Sequence, residues 1–390
     1  VKKLNILWHG VAPFIYSGYG NLTKNIALRI GQLYPTVVSC YYGLHLGGSL
    51  RIAGVRILPT SEYNWGEKEV KCYLKKFHID LPILASDFWP FKWFAQLPSS
   101  MFYGPIDSSD YIEEDIETMK RFSYFIPCSR FGARVYKRLT KRAPVEVIPH
   151  GVDTKIFRPY PKEECRRIFC LPRKKFIIGI VAANSDPEPR KGWDDLFIAL
   201  SEFLKRNPIE KRKLLIFAFT RPSDERGYSL QNLVKKLGLT KNILFPEYLP
   251  QIVGLPEQEM AKLYSCFDLL LNASRREGFC LPILEAQSCG VPVIASNTTA
   301  IPELVKGHGW LVKMKDLVFA PRGWKCRKVD REDLVEKLED AYFSASKRRE
   351  FSFKARKFAL KYDWELLFKS KWVPLLENLS SKDLNKIASS

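Results

Sequence analysis

The chain is predicted to be an α/β protein of two facing, doubly wound halves, each a Rossmann-like parallel sheet, with helices at the C-terminal end. Three observations carry this. Short apolar runs alternate with amphipathic helical patterns along nearly the whole chain, as parallel sheets built from βαβ crossovers require. The alternation occurs twice, on either side of a proline-containing, charge-dense stretch. At 390 residues, the chain also suits two domains of roughly 150 residues each.

Taken in order, residues 4–8, 36–42, 81–85, 101–103, 124–127 and 145–148 read as strands of the first half. Helical patterns cover 21–33, 67–77 and 130–141 between them. Strands of the second half are expected at 176–182, 213–219, 242–245, 268–272 and 292–295, with helices at 193–206, 230–237, 257–266 and 282–289. The opening Val1-Lys2-Lys3-Leu4 imitates a leader only briefly, because Asn5 and His9 interrupt it and no small-residue cleavage site follows. A first strand is expected there instead. The longest apolar run, 176–183, falls far short of the roughly 20 residues that cross a bilayer. The expected boundaries are a first domain at 1–153, a linker at 154–175 holding Pro159, Pro161 and Pro172, and a second domain at 176–330. C-terminal helices at 331–379 and a polar tail at 380–390 follow.

Charge and cysteine usage bound the partners. The net charge of +20 is dispersed, +7 in residues 1–150 and +13 in the remainder. Such a field favours anionic partners, or is simply a solvated basic surface. Nothing resembles a nucleic-acid-binding module, so no nucleic-acid partner is expected. Nine cysteines without a C-x-x-C or clustered histidines argue against a zinc site and a secreted disulfide framework. A cytoplasmic protein is the expectation.

The densest motif runs from Asp268 to Ser296. A strand is followed by Glu277-Gly278-Phe279-Cys280-Leu281-Pro282-Ile283-Leu284-Glu285-Ala286-Gln287-Ser288-Cys289-Gly290 and then another strand. Pro282 suits the first turn of a helix and Gly290 its C-terminal cap. The first-turn N–H groups of such a helix form an anion site. Glu277-x7-Glu285 in this setting closely resembles the paired-glutamate signature of retaining glycosyltransferases of family 4, which have the GT-B fold. Three further stretches agree and keep the family's order: Val147–Asp153 with Phe157 and Pro159, Arg190-Lys191-Gly192-Trp193-Asp194, and Leu255-Pro256-Glu257 through Tyr264 and Asp268. The resemblance covers residues 145–312 well and the first half more loosely.

The resemblance implies transfer of a hexose from a UDP- or GDP-linked sugar to a glycan or lipid-phosphate acceptor, with retention of configuration. It implies that Glu285 binds the nucleotide ribose. Glu277, with Gly278, Phe279, Cys280 and Leu281, would hold the transferred sugar and the donor loop. Arg190 and Lys191 would neutralise the diphosphate. No essential metal or other cofactor is expected, since no Asp-x-Asp occurs and cationic side chains supply the charge. Two departures stand out. Where the family usually ends a strand with a glycine–arginine pair, this chain has Ala182-Ala183-Asn184; Arg190 is expected to do that arginine's job from elsewhere, and Asn184 stands among the donor-binding candidates. Where the family usually carries a histidine after a middle strand, Asp107 is nearest, serving either that role or a turn.

Ser17-Gly18-Tyr19-Gly20-Asn21 follows the first strand, so Gly18, Tyr19 and Gly20 form either a phosphate-cradling loop or a plain strand-to-helix turn. His150 is read as structural or as facing a crevice. Residues 88–94, Phe-Trp-Pro-Phe-Lys-Trp-Phe, suit a membrane interface or lipid-linked acceptor, or else buried packing. The segment 129–142 sets Arg130, Arg134, Lys137 and Lys141 on one helical face, which could touch an anionic membrane surface or remain solvated. The competing reading is a non-catalytic or degenerate protein that binds nucleotide sugars or polyanions on the same fold.

Overall fold

The computed structural model describes residues 3–44, 48–61, 63–185, 189–246 and 254–381. The chain divides into two compact units. The first comprises Val1–Ile106, Tyr111–His150 and Trp364–Ser390, and the second Asp107–Asp110 and Gly151–Asp363.

The first unit is a seven-stranded sheet in the order β3-β4-β2-β1-β5-β6-β7. Its strands are β1 Ile6–Val11, β2 Thr36–Tyr42, β3 Leu50–Ile52, β4 Val55–Pro59, β5 Leu81–Ala85, β6 Met101–Gly104 and β7 Tyr124–Pro127. All pairs are parallel except β3 with β4. Central β1 and β5 are buried throughout, as strands covered on both faces must be. β3 and β4 were not expected. They form an edge hairpin turned by Ala53 and Gly54, both at positive φ, and Arg51 and Arg56 break the apolar run that would announce them. Residues 145–148, expected as a strand, are not one. Pro144 and Pro149 flank them, and only Val145 and Ile148 donate to β7, at 3.1 and 3.3 Å.

In the second unit a six-stranded sheet, wholly parallel, runs β10-β9-β8-β11-β12-β13. These strands are β8 Phe176–Val181, β9 Leu214–Phe219, β10 Ile243–Leu244, β11 Leu269–Asn272, β12 Val293–Ser296 and β13 Trp310–Val312. The helix Trp193–Arg206 packs Trp193, Phe197, Leu200 and Phe203 into the core. A separate antiparallel hairpin, β14 Met314–Phe319 and β15 Lys325–Val329, follows β13. Its strands are charged and mostly exposed, so no apolar run marks them.

The expected boundaries differ from this division in two places. Residues 154–175 pack into the second unit, where Arg166 of the helix Lys162–Ile168 donates to Cys266 O at 2.9 Å and Asp268 at 2.6 Å. The C-terminal helices are split. Arg331–Phe343 and Ala345–Ala359 belong to the second unit, whereas the helical stretch from Trp364 to Ser381 returns to the first. There Trp372 lies 6.0 Å from Trp8 and 4.9 Å from Tyr103, ring to ring, so apolar burial pulls the segment back. Residues 382–390 of the expected tail lie outside the described residues.

Candidate functional site

Open α/β sheets bind ligands beyond the carboxyl ends of their strands. In the second unit those ends carry the loop after β8, the 273–280 loop after β11 and the 297–300 turn after β12. Gly192 brings the first two together. Its φ is +63°, and a Cβ there would stand 2.3 Å from Ala273 O, so only glycine allows this approach. Arg275 N–H then donates to Arg190 O at 2.7 Å. Glu277 N–H donates to Thr299 Oγ1 at 2.9 Å, and Thr299 Oγ1 donates back to Glu277 O at 2.7 Å, tying in the third segment.

On this frame Glu277 is buried, and two cations grip its carboxylate. Lys191 Nζ is 2.5 Å from Oε1 and Arg190 Nη1 is 3.4 Å from Oε2. Burial alone would raise the carboxyl pKa, but Lys191 and Arg190 outweigh it and hold Glu277 down at about 2. The loop then inverts at Cys280, whose φ of +81° lies in the left-handed region, and the helix Leu281–Ser288 begins. Burial pushes the Cys280 thiol well up, so it is not a nucleophile at neutral pH. One turn into the helix, Glu285 accepts a hydrogen bond from Tyr264 Oη at 2.8 Å. Burial pushes Glu285 up to about 7, against the pull of Tyr264. Two glutamates eight positions apart are thus shifted in opposite directions.

Sequence reasoning places Glu277, Gly278, Phe279, Cys280, Leu281, Glu285, Arg190 and Lys191 on this one frame, and the structure brings them together in the second unit. Asn184 departs from its expected role. Its amide donates to Arg221 O and Tyr228 O at 3.0 and 2.8 Å, and its Oδ1 accepts from Tyr228 N at 2.9 Å. Both amide N–H groups and Oδ1 thus hold the 221–228 loop. Asp107 belongs by its contacts to the second unit and pairs with buried Arg276, whose guanidinium lies 4.9 Å above the Trp324 ring.

In the first unit, Gly18, Tyr19 and Gly20 lie within the first turn of the helix Gly18–Leu22, not in a loop before it. Ser17 caps that helix by accepting from Gly20 N–H at 3.1 Å. A Cβ on Gly20 would sit 2.0 Å from Ile15 O, so the turn itself demands this glycine. His150 is buried against Tyr103, and burial pushes it down to about 3, a neutral packing side chain. Phe88, Phe91, Trp93 and Phe94 are all core residues, which excludes these four rings from a membrane-facing belt.

Three contributors escaped the sequence reading. Arg275 is buried and bound by Asp194 and Asp195 at 2.8 and 3.0 Å, locking the loop to the start of the helix Trp193–Arg206. Arg276 and Trp324 are the others. The doubled arginine next to Glu277 was the available signal. Among the described residues no three His, Cys, Asp or Glu side chains gather as metal ligands, and no helix is long and apolar enough to cross a membrane. A cavity of about 370 Å³ edged by Tyr160, Lys162, Asp268, Gly290 and Arg348 lies at the amino ends of β11 and β12, away from these loops.

The architecture has well-populated company. It superposes on sucrose-phosphate synthase from Thermosynechococcus elongatus with a TM-score of 0.77, at 15% identity over 97% of this chain and 100% of that one. It likewise superposes on Anabaena HepE in complex with UDP-glucose, with a TM-score of 0.72 at 16% identity over 97% and 100%. The fold is GT-B. Residues 175–323, within the second unit, match the family model described as glycosyl transferases group 1. Among curated proteins the chain is 27% identical over 234 residues to a D-inositol 3-phosphate glycosyltransferase of Saccharomonospora viridis, covering 58% of this chain and 49% of the relative. It is 29% identical over 184 residues to the Segniliparus rotundus protein of that name, covering 46% and 37%. The match therefore spans less than half the length of these relatives.

Proposed function

We infer that the protein is a retaining glycosyltransferase that moves a hexose from a nucleoside diphosphate sugar to an acceptor hydroxyl. One observation carries this reading: Glu277 gripped by Arg190 and Lys191 at the strand ends, with Glu285 one turn into the helix that follows. A diphosphate entering this site takes over the two cations that Glu277 now holds, and its negative charge grows as the sugar leaves. Glu277, freed from them, accepts from the sugar hydroxyls. Glu285 accepts from the ribose hydroxyls in its ionised form. Lys191 and Arg190 supply the positive charge in this reading, with no metal required. The match to the group 1 family model and the UDP-glucose complex of Anabaena HepE support the donor class.

The test is thermal stabilisation by UDP, GDP and their common sugar conjugates. A ligand at about 100 times its Kd adds roughly 2.7 kcal/mol, and each kcal/mol moves Tm by about 2–4 °C in a domain of this size. A selective shift with one base names the donor class; Glu285→Ala should abolish it, and an unchanged shift in that variant refutes the donor site.

A second reading, a donor-binding protein without turnover, draws on Asp107 being tied to Arg276 and Asn184 to the 221–228 loop. It requires nucleotide-sugar binding with neither transfer nor hydrolysis.

A further inference from the structure

The cavity of about 370 Å³ at the amino ends of β11 and β12 is lined by residues of the second unit alone, at the end of the sheet opposite the loop that holds Glu277. Its volume suits a small molecule. Three cations line it, Lys162, Arg348 and Arg349, against one carboxylate, Asp268. That carboxylate is already spent. Its Oδ1 accepts from Lys162 Nζ at 2.7 Å, and its Oδ2 accepts from Arg166 Nη2 at 2.6 Å and from Ile177 N–H at 2.8 Å. The other acids of the lining segments, Glu163, Glu164 and Glu350, stand outside the lining, and Glu350 pairs with Lys354 at 2.5 Å. A concave surface with this excess of one sign concentrates anions.

Arg348 is held ready for such a partner. Its guanidinium lies 4.9 Å above the Phe176 ring, and Nη1 donates to Ala341 O and Tyr342 O, both at 2.6 Å. Those contacts fix the plane of the fork, while Nε and Nη2 make no hydrogen bond among the described residues. A guanidinium with a fixed plane and unspent donors is preorganised for an oxyanion. Burial lowers the Arg348 pKa, Asp268 pulls it back, and Arg349 lowers it again by a like-charge repulsion that a bound anion would relieve. Arg349 is exposed and forms no ion pair among the described residues. Two hydroxyls describe the rest of the ligand. Ser352 Oγ donates to Gly290 O at 2.5 Å, and Tyr160 Oη donates to Ile156 O at 3.1 Å. Their protons are spent, so toward a ligand both oxygens accept. Beside three cations, what they accept from is a neutral donor such as a hydroxyl.

We propose that this cavity is a binding site, separate from the one at Glu277, for a phosphate ester of a small hydroxyl-bearing molecule. Arg348, Arg349 and Lys162 take the phosphate oxygens through charge-assisted hydrogen bonds. Ser352 and Tyr160 accept from the hydroxyls of the esterified part. A free inorganic anion answers only the first of these two sets. None of the five residues takes part in the proposed sugar transfer, so the site stands or falls independently of it.

The experiment is isothermal titration calorimetry of the full chain with ribose 5-phosphate, glycerol 3-phosphate, inorganic phosphate and ribose. The wild type is compared with Arg349→Ala, Arg349→Glu, Lys162→Ala, Lys357→Ala and Lys191→Ala. Lys357 is exposed on the helix that carries Arg348 and lies outside the lining, so its variant removes the same charge without touching the cavity. Lys191→Ala instead removes a cation from Glu277. At least one ester is expected to bind, about tenfold more weakly in Arg349→Ala and Lys162→Ala and not at all in Arg349→Glu. Its affinity should be unchanged in Lys357→Ala and Lys191→Ala, and ribose should not bind. Arg349 and Lys162 are exposed, and Asp268 keeps Arg166 when Lys162 is removed, so these variants fold, which their Tm checks. A wild type that binds no ester, or an ester bound equally by the wild type and both Arg349 variants, overturns the site. Binding lost in Lys191→Ala but kept in the Arg349 variants moves the ester to Glu277 and overturns it as well. Inorganic phosphate bound as tightly as either ester overturns the ester in favour of the free ion.

Discussion

At the carboxyl ends of β8 and β11 the second unit gathers charge: Arg190, Lys191, Arg275 and Arg276 against Glu277, Asp194, Asp195 and Asp107. At the carboxyl ends of β1, β2 and β4 the first unit gathers rings, with Trp65 and Tyr63 outermost over Phe91, Tyr41 and His9. Both edges come from the same βα architecture, so the strands do not decide what an edge binds. Its loops do. A charged edge needs particular residues at particular spacings, because each buried ion must meet its partner. An aromatic edge needs only flat surface and a firm base, and several sequences can provide both.

The comparison can be broken most forcefully at the base of the aromatic edge. Phe91→Ala removes a buried ring under Trp65 and should cost about 3–5 kcal/mol, measured by denaturant unfolding. A first unit left as stable as before would mean that the rings are decoration. In the charged edge, Glu277→Gln should lower transfer about a hundredfold or more while nucleotide binding persists, since Lys191 and Arg190 stay in place. Equal loss of both would erase the distinction between Glu277 and Glu285. Gly192→Ala should destabilise the second unit by about 1–3 kcal/mol, because its Cβ would strike Ala273 O and its φ of +63° is unfavourable. A smaller, pH-dependent effect sharpens the contrast between the two glutamates. Glu285 has its folded pKa raised to about 7, so the folded chain holds an extra proton and loses stability as pH rises from the ordinary carboxyl range through 7. Ribose hydroxyls need the ionised form, so nucleotide affinity should rise over that window by at most about tenfold per pH unit. In Glu285→Gln this slope should vanish; a slope that survives belongs to another group. The smallest effect concerns Lys92, which lies within the aromatic run and pairs with exposed Glu114. Lys92→Ala should change stability by no more than about 0.5 kcal/mol.

Legibility followed the same division. The paired glutamates, Arg190, Lys191 and the helix after Cys280 were readable because their spacing is constrained by ionic and backbone geometry. So were the central strands β1, β5, β8 and β11, whose burial on both faces leaves continuous apolar runs. The edge hairpins β3–β4 and β14–β15 were not, since exposed strands carry charges and lack such runs. Asn184 was misread because position after a strand was taken as function, whereas its amide satisfies loop backbone. Residues 88–94 showed their aromatic content in one dimension but not their depth. Burial of Phe88, Phe91, Trp93 and Phe94 became evident only with the helices and loops that cover them.

The return of Trp372 to Trp8 and Tyr103 has a consequence for synthesis. At ribosomal rates of about 5–20 residues per second, Trp372 is made roughly 20–70 s after Trp8. The first unit, begun first, is therefore finished last, with all of the second unit made in between. Throughout that interval the tryptophan and tyrosine that Trp372 will cover lack their partner. A nascent chain halted after Asp363 carries every residue of the second unit and an incomplete first unit.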